Sequence, residues 1–74
     1  MMATEVLDLK GLKCPQPVLK IAIKASTIPP GTSLEVQADC SSFPQDVEKW
    51  CRDSGKVLVS IVDRGGYHAA TIQF

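Results

Sequence analysis

Apolar and polar residues change their spacing repeatedly along the 74-residue chain, and each change marks a structural element. Thr4 to Leu9 is short and mixed, with Val6, Leu7 and Leu9 supplying the apolar content of a first strand, and Asp8-Leu9-Lys10-Gly11 turns the chain. After Cys14, Val18, Ile21, Ala22 and Ala25 fall at helical spacing with Leu19 and Ile23 flanking, while Lys20 and Lys24 share an i,i+4 ridge expected to face water. Pro29-Pro30-Gly31 stops this helix. Leu34, Val36 and Ala38 then alternate with Ser33, Glu35 and Gln37, the period of a half-buried strand.

A second helix follows. Ser42, three residues before Gln45, fits a capping box, and Phe43, Val47, Trp50 and Cys51 form one stripe that ends before Gly55. Lys56 to Asp63 is rich in β-branched and apolar residues. Gly65-Gly66 is a two-residue hairpin signal leading into Tyr67 through Phe74, where Ala70, Ile72 and Phe74 share a face.

The order is βαβαββ. A helix between two strands favours a parallel pair, whereas the terminal hairpin is antiparallel, so the sheet is mixed and four-stranded. Each helix carries one apolar stripe and the better-resolved strands one apolar face. The predicted fold is therefore an α+β two-layer sandwich with both helices on the same sheet face. With no linker or repeat, residues 1–74 read as a single small domain whose chemistry sits at the surface.

Composition narrows the function. Eight Lys and Arg balance eight Asp and Glu without a basic stripe, and aromatic content is low, which argues against a direct nucleic-acid partner. The first residues lack a basic segment followed by an apolar one, and no apolar run reaches membrane-spanning length. The expected location is cytoplasmic. Three cysteines, Cys14, Cys40 and Cys51, match no metal-site spacing and make an odd count, so no disulfide framework is expected and the question is which thiol reacts.

The stretch GLKCPQPVLK, residues 11–20, answers it. Proline is tolerated in the first helical turn, where amide hydrogens lack an intrahelical acceptor. With Cys14 as N-cap, Pro15 and Pro17 stiffen the entrance, and the amides of Gln16 and Val18 are candidate donors toward the sulfur. A helix N-terminus favours thiolate over thiol, and Lys10, Lys13 and Lys20 add positive charge. Two prolines also remove two donors, which opposes the shift. The bland alternative is a small residue at a cap; a haem ligand is another, without an evident second ligand.

Asp8, Gly11, Leu12, Cys14, Pro15 and Pro17, read as D-x-x-G-L-x-C-P-x-P after a first strand, resemble the signature of the TusA family, also called SirA-like. The similarity continues through Pro30-Gly31, Val36 to Asp39, Asp46-Val47 and Trp50-Cys51. The resemblance implies a βαβαββ sandwich and a small sulfur carrier, or sulfurtransferase, that needs no cofactor. It implies that Cys14 accepts sulfane sulfur as a persulfide, or a thiosulfonate, with Gly11, Pro15, Gln16 and Pro17 positioning the thiol. It also implies two kinds of partner: a donor such as a cysteine desulfurase, a rhodanese or a thiosulfate source, and an acceptor protein, in one branch a membrane transporter for thiosulfate uptake.

Lys13, Asp39 and Cys40 are auxiliary candidates. Asp39 and Asp46 read first as charges complementing the second helix and second as a docking patch. Cys40 stands where the family more often has a second acid. Because Cys14 and Cys40 follow parallel strands, they share one sheet edge, and a disulfide between them would make the chain a thiol redox element. A non-catalytic regulatory interaction module is a third reading. Cys51, on the apolar stripe, reads as a buried hydrophobe, and His68 as a hairpin residue.

Overall fold

The computed structural model describes residues 4–13 and 16–74. Its elements are β1 (Thr4–Asp8), α1 (Gln16–Ala25), β2 (Ser33–Ala38), α2 (Phe43–Ser54), β3 (Val57–Asp63) and β4 (His68–Gln73). The βαβαββ order and the mixed four-stranded sheet stand as expected. The strands lie in the order β1-β2-β4-β3, so the last strand inserts between β2 and β3. β1 pairs with β2 in parallel, Leu7 opposite Val36; β4 pairs antiparallel with both β2 and β3.

Period-two patterning decides the faces. Leu34, Val36 and Ala38 of β2 are buried, as are their partners Ile72 and Ala70 of β4. They meet Ile21 of α1 and Phe43, Val47 and Cys51 of α2 in one core, against which Leu7, Leu12, Trp50, Leu58, Ile61 and Phe74 pack. Each fully buried large aliphatic or aromatic side chain contributes about 1.5–3 kcal/mol relative to exposure. The opposite face carries Ser33, Glu35 and Gln37, with Gln37 Nε2 donating to Glu35 Oε2 at 3.0 Å. Exposed Val6, Val57 and Val62 give that open face an apolar component. A register shift between Leu58 and Ser60 marks a β-bulge at the β3 edge, beside exposed Val59.

The turns follow the chemistry of their residues. Arg64 N–H donates to the Tyr67 carbonyl at 2.8 Å around Gly65 and Gly66. Both glycines have positive φ, 78° and 143°, so the two-residue turn forms where the sequence signalled it. At the end of α2 the Cys51 carbonyl accepts from the N–H groups of Gly55 and Lys56, closing the last turn.

Four local expectations are corrected. β1 ends at Asp8, and Leu9 lies beyond it, buried, its N–H donating to the Gln37 carbonyl at 2.7 Å. In α1 the buried residues are Pro17 and Ile21; Ala22 is exposed, and so are Leu19 and Ile23. Lys24 is half-buried rather than solvated, and pairs with Glu5 of β1 at 3.2 Å. The capping box of α2 does not form. Ser42 is the N-cap, but its side chain makes no capping bond and instead donates to Asp46 Oδ2 at 2.8 Å, while Pro44 occupies the first turn.

Phe43→Ala is expected to destabilise the protein by about 3–5 kcal/mol, by loss of a fully buried ring. Val59→Thr, at the exposed bulge, stays within about 0.5 kcal/mol of the parent. Urea unfolding followed by Trp50 fluorescence measures both.

Candidate functional site

The connections β1–α1 and β2–α2 leave the sheet from the same edge, because β1 and β2 are parallel neighbours. Cys14 and Pro15 lie outside the described residues, while the chain on both sides of them is defined. Before them run Gly11, Leu12 and Lys13; after them α1 begins at Gln16, followed by buried Pro17. Lys13 and Gln16, which bracket the pair, are both exposed.

The first connection is held by the second. Both carboxylate oxygens of Asp39 accept the Gly11 N–H at 3.1 Å. Gly11 has φ near +90°, a backbone conformation unfavourable for a side chain. Gly11 and Asp39 thus act as one device that aims the GLK segment before the cysteine. Asp39, read in sequence as a charge for the second helix, works here as an acceptor across 28 residues. Asp46 lies in the first turn of α2.

Around the entrance, Gln16 N–H donates to the Lys13 carbonyl at 2.8 Å. Lys10 Nζ lies 3.9 Å from Asp8 Oδ2 and 4.6 Å from the centroid of the Tyr67 ring. The helix adds its own dipole. The first turn of α1 carries no acidic residue to oppose an anion, and amides of that turn have no intrahelical acceptor.

The described cysteines separate clearly. Cys51 is a free thiol, 2 % exposed, and burial pushes its pKa above the ordinary thiol value. It has neither the access nor the ionisation of a nucleophile. Cys40 is buried and disulfide-bonded, its Sγ 3.5 Å from Ser42 Oγ. The odd cysteine count predicts no disulfide framework and leaves a bond at Cys40 only as the redox alternative; the structure has Cys40 bonded. His68, half-buried at the start of β4, sits in register opposite Ala38 and Asp63.

An open groove of about 210 Å³ runs beside α2, lined by Val18, Asp46, Lys49, Trp50 and Asp53. Lys49 Nζ donates to Asp53 Oδ2 at 2.8 Å and holds that carboxyl below the usual range. Among the described residues no cluster of His, Cys, Asp and Glu is arranged to hold a metal ion, and no helix is long and apolar enough to cross a membrane. The signal sequence reasoning missed was the Gly11–Asp39 pairing, which has no local pattern because its partners are distant in the chain.

Comparison with known proteins points one way. The family model described as Sulfurtransferase TusA matches residues 5–74. A protein of Neisseria meningitidis serogroup A, provisionally named a sulfur carrier, is 35 % identical over 72 residues, 97 % of each chain. The sulfur carrier protein TusA of Pseudomonas paraeruginosa is 36 % identical over 61 residues, 82 % of this chain and 77 % of that one. A provisionally named sulfur carrier of Halobacterium salinarum is 39 % identical over 61 residues, 82 % of this chain and 73 % of that one.

Removing the Asp39 carboxylate in Asp39→Ala is expected to speed hydrogen exchange of the Gly11 amide by about tenfold, the loss of roughly 1.4 kcal/mol of protection, while amides of β2 and β4 keep theirs. Exchange monitored by NMR checks it. Native-state alkylation at neutral pH is expected to leave Cys51 unmodified and to reach it on denaturation, as read by mass spectrometry of peptides.

Proposed function

The chain belongs to the sulfurtransferase TusA family, and from that membership we propose that it is a sulfur carrier that takes sulfane sulfur onto Cys14 and passes it to a partner protein. The observation that supports this best is the built entrance around the motif. Gly11, tied to Asp39, stands just before the motif, and the ten-residue helix that begins at Gln16 holds no carboxylate in its first turn.

The chemistry is sulfur exchange. The Cys14 thiolate attacks the outer sulfur of a donor persulfide; the new S–S bond forms as the donor's own S–S bond breaks, and the donor leaves as a thiolate. From thiosulfate the same attack releases sulfite. An acceptor nucleophile then attacks the outer sulfur on Cys14, and Cys14 leaves as thiolate, ready for another cycle. The bonds broken and made are alike, so the carrier stabilises a thiolate and presents a sulfur, with no further catalytic group. Pro15 and Pro17 limit the entrance backbone, and exposed Lys13 adds positive charge beside the reacting anion.

The partners this implies are a cysteine desulfurase, a rhodanese or a thiosulfate source on one side and an acceptor protein on the other, in the cytoplasm. An acceptor associated with a membrane transporter fits the thiosulfate branch. Apolar residues stand exposed near the site for such contacts, Leu19 and Ile23 on α1.

Reduced protein incubated with a cysteine desulfurase and cysteine, or with thiosulfate, is expected to gain the mass of one sulfur atom, and Cys14→Ser to gain none. Intact-mass measurement decides. Label retained in Cys14→Ser overturns the carrier reading, and partner binding and phenotype untouched by that substitution favour a non-catalytic module.

A further inference from the structure

Cys40 is the described cysteine whose thiol is already engaged. The chain has three cysteines, Cys51 is a free thiol, and Cys40 is disulfide-bonded. We propose that Cys14 and Cys40 form a reversible disulfide, and that Cys40 is a resolving thiol that discharges the Cys14 persulfide as hydrosulfide. The proposal rests on the carrier reading above and adds to it a second fate for the carried sulfur.

Topology brings the residues that precede Cys14 beside those that precede Cys40. The backbone bond from Leu9 N–H to the Gln37 carbonyl continues the parallel β1–β2 pairing past the strand end. Two residues on, Gly11 N–H is held by Asp39, the residue immediately before Cys40. From Gly11 to Cys14 is three residues, a span of at most about 11 Å, and a disulfide needs Cα atoms within about 7 Å of each other. The tether is short enough to keep the Cys40 thiol at a high effective concentration around the site.

The step balances without an added oxidant. The Cys40 thiol loses its proton and attacks the inner sulfur of the persulfide, Sγ of Cys14. The Sγ–Sγ bond forms, the bond to the outer sulfur breaks, and its electron pair leaves with that sulfur as hydrosulfide. The sulfane sulfur is reduced by two electrons and the two cysteines are oxidised by two. A dithiol reductant returns the disulfide to two thiols and becomes a disulfide itself. An acceptor attacks the outer sulfur and Cys40 the inner one, so the two fates compete. A carrier that meets no acceptor releases hydrosulfide and closes its own accepting thiol.

The test uses the full chain, fully reduced and freed of reductant, with a cysteine desulfurase and cysteine and no acceptor. Hydrosulfide is trapped with a bimane, and intact mass is read without reduction. The parent is expected to release one equivalent above the desulfurase alone and to end two hydrogens lighter than its reduced form; a small dithiol restores loading. Cys40→Ser and Cys40→Ala are expected to keep one added sulfur and release none, and Cys51→Ser to behave as the parent. A parent that holds its added sulfur as firmly as Cys40→Ser, with Cys40 open to alkylation, overturns the resolving role but leaves the carrier reading intact. A disulfide found only between two chains also overturns it. If neither Cys40 variant gains sulfur, the carrier reading itself falls, and this inference with it.

Discussion

The parallel pairing of β1 with β2 is the constraint on which the rest of the structure depends. A parallel neighbour cannot be reached by a tight turn, so the chain crosses the sheet through α1, and the apolar side of that helix must lie on the face where Leu7, Leu34 and Val36 already point. The same pairing sends the exits of β1 and β2 out of one edge. Everything chemical about the molecule follows from that shared edge.

Two loops that leave side by side can be tied to each other, and here they are. The Asp39 carboxylate holds the Gly11 amide, while Leu9 extends the ladder by one more bond. The Asp39 bonds are exposed, and each bond is individually modest. Their effect is positional, because they fix the chain from Leu9 to Gly11 just ahead of the motif. Burial does the opposite work at Cys51, where the core of α2 removes a thiol from chemistry altogether. Two cysteines on neighbouring elements thus differ in kind through their surroundings, with Cys40 bonded and Cys51 inert.

Where sequence reasoning failed, a competing partner explains it. Ser42 has the spacing of a capping box with Gln45, but its hydroxyl is oriented to donate to Asp46 Oδ2 and makes no capping bond. The helix α1 is apolar on several sides, so periodicity alone could not choose between Ala22 and Pro17 for the core, whereas the i, i+4, i+8 stripe of Phe43, Val47 and Cys51 left no such choice. Lys24 looked solvated until β1 supplied Glu5.

The sequence by itself determined what local rules control: the order of elements, the buried face of β2, the stripe of α2, the Gly65-Gly66 turn, and the family signature around Cys14. These depend on neighbours within a turn or a pleat, where spacing is geometry. Only the tertiary structure decided that β4 enters between β2 and β3, that Asp39 holds Gly11, and that Cys40 is bonded while Cys51 is sealed. Such pairings join residues far apart in the chain, and no local pattern encodes them, because they exist only once the whole sheet has closed around its core.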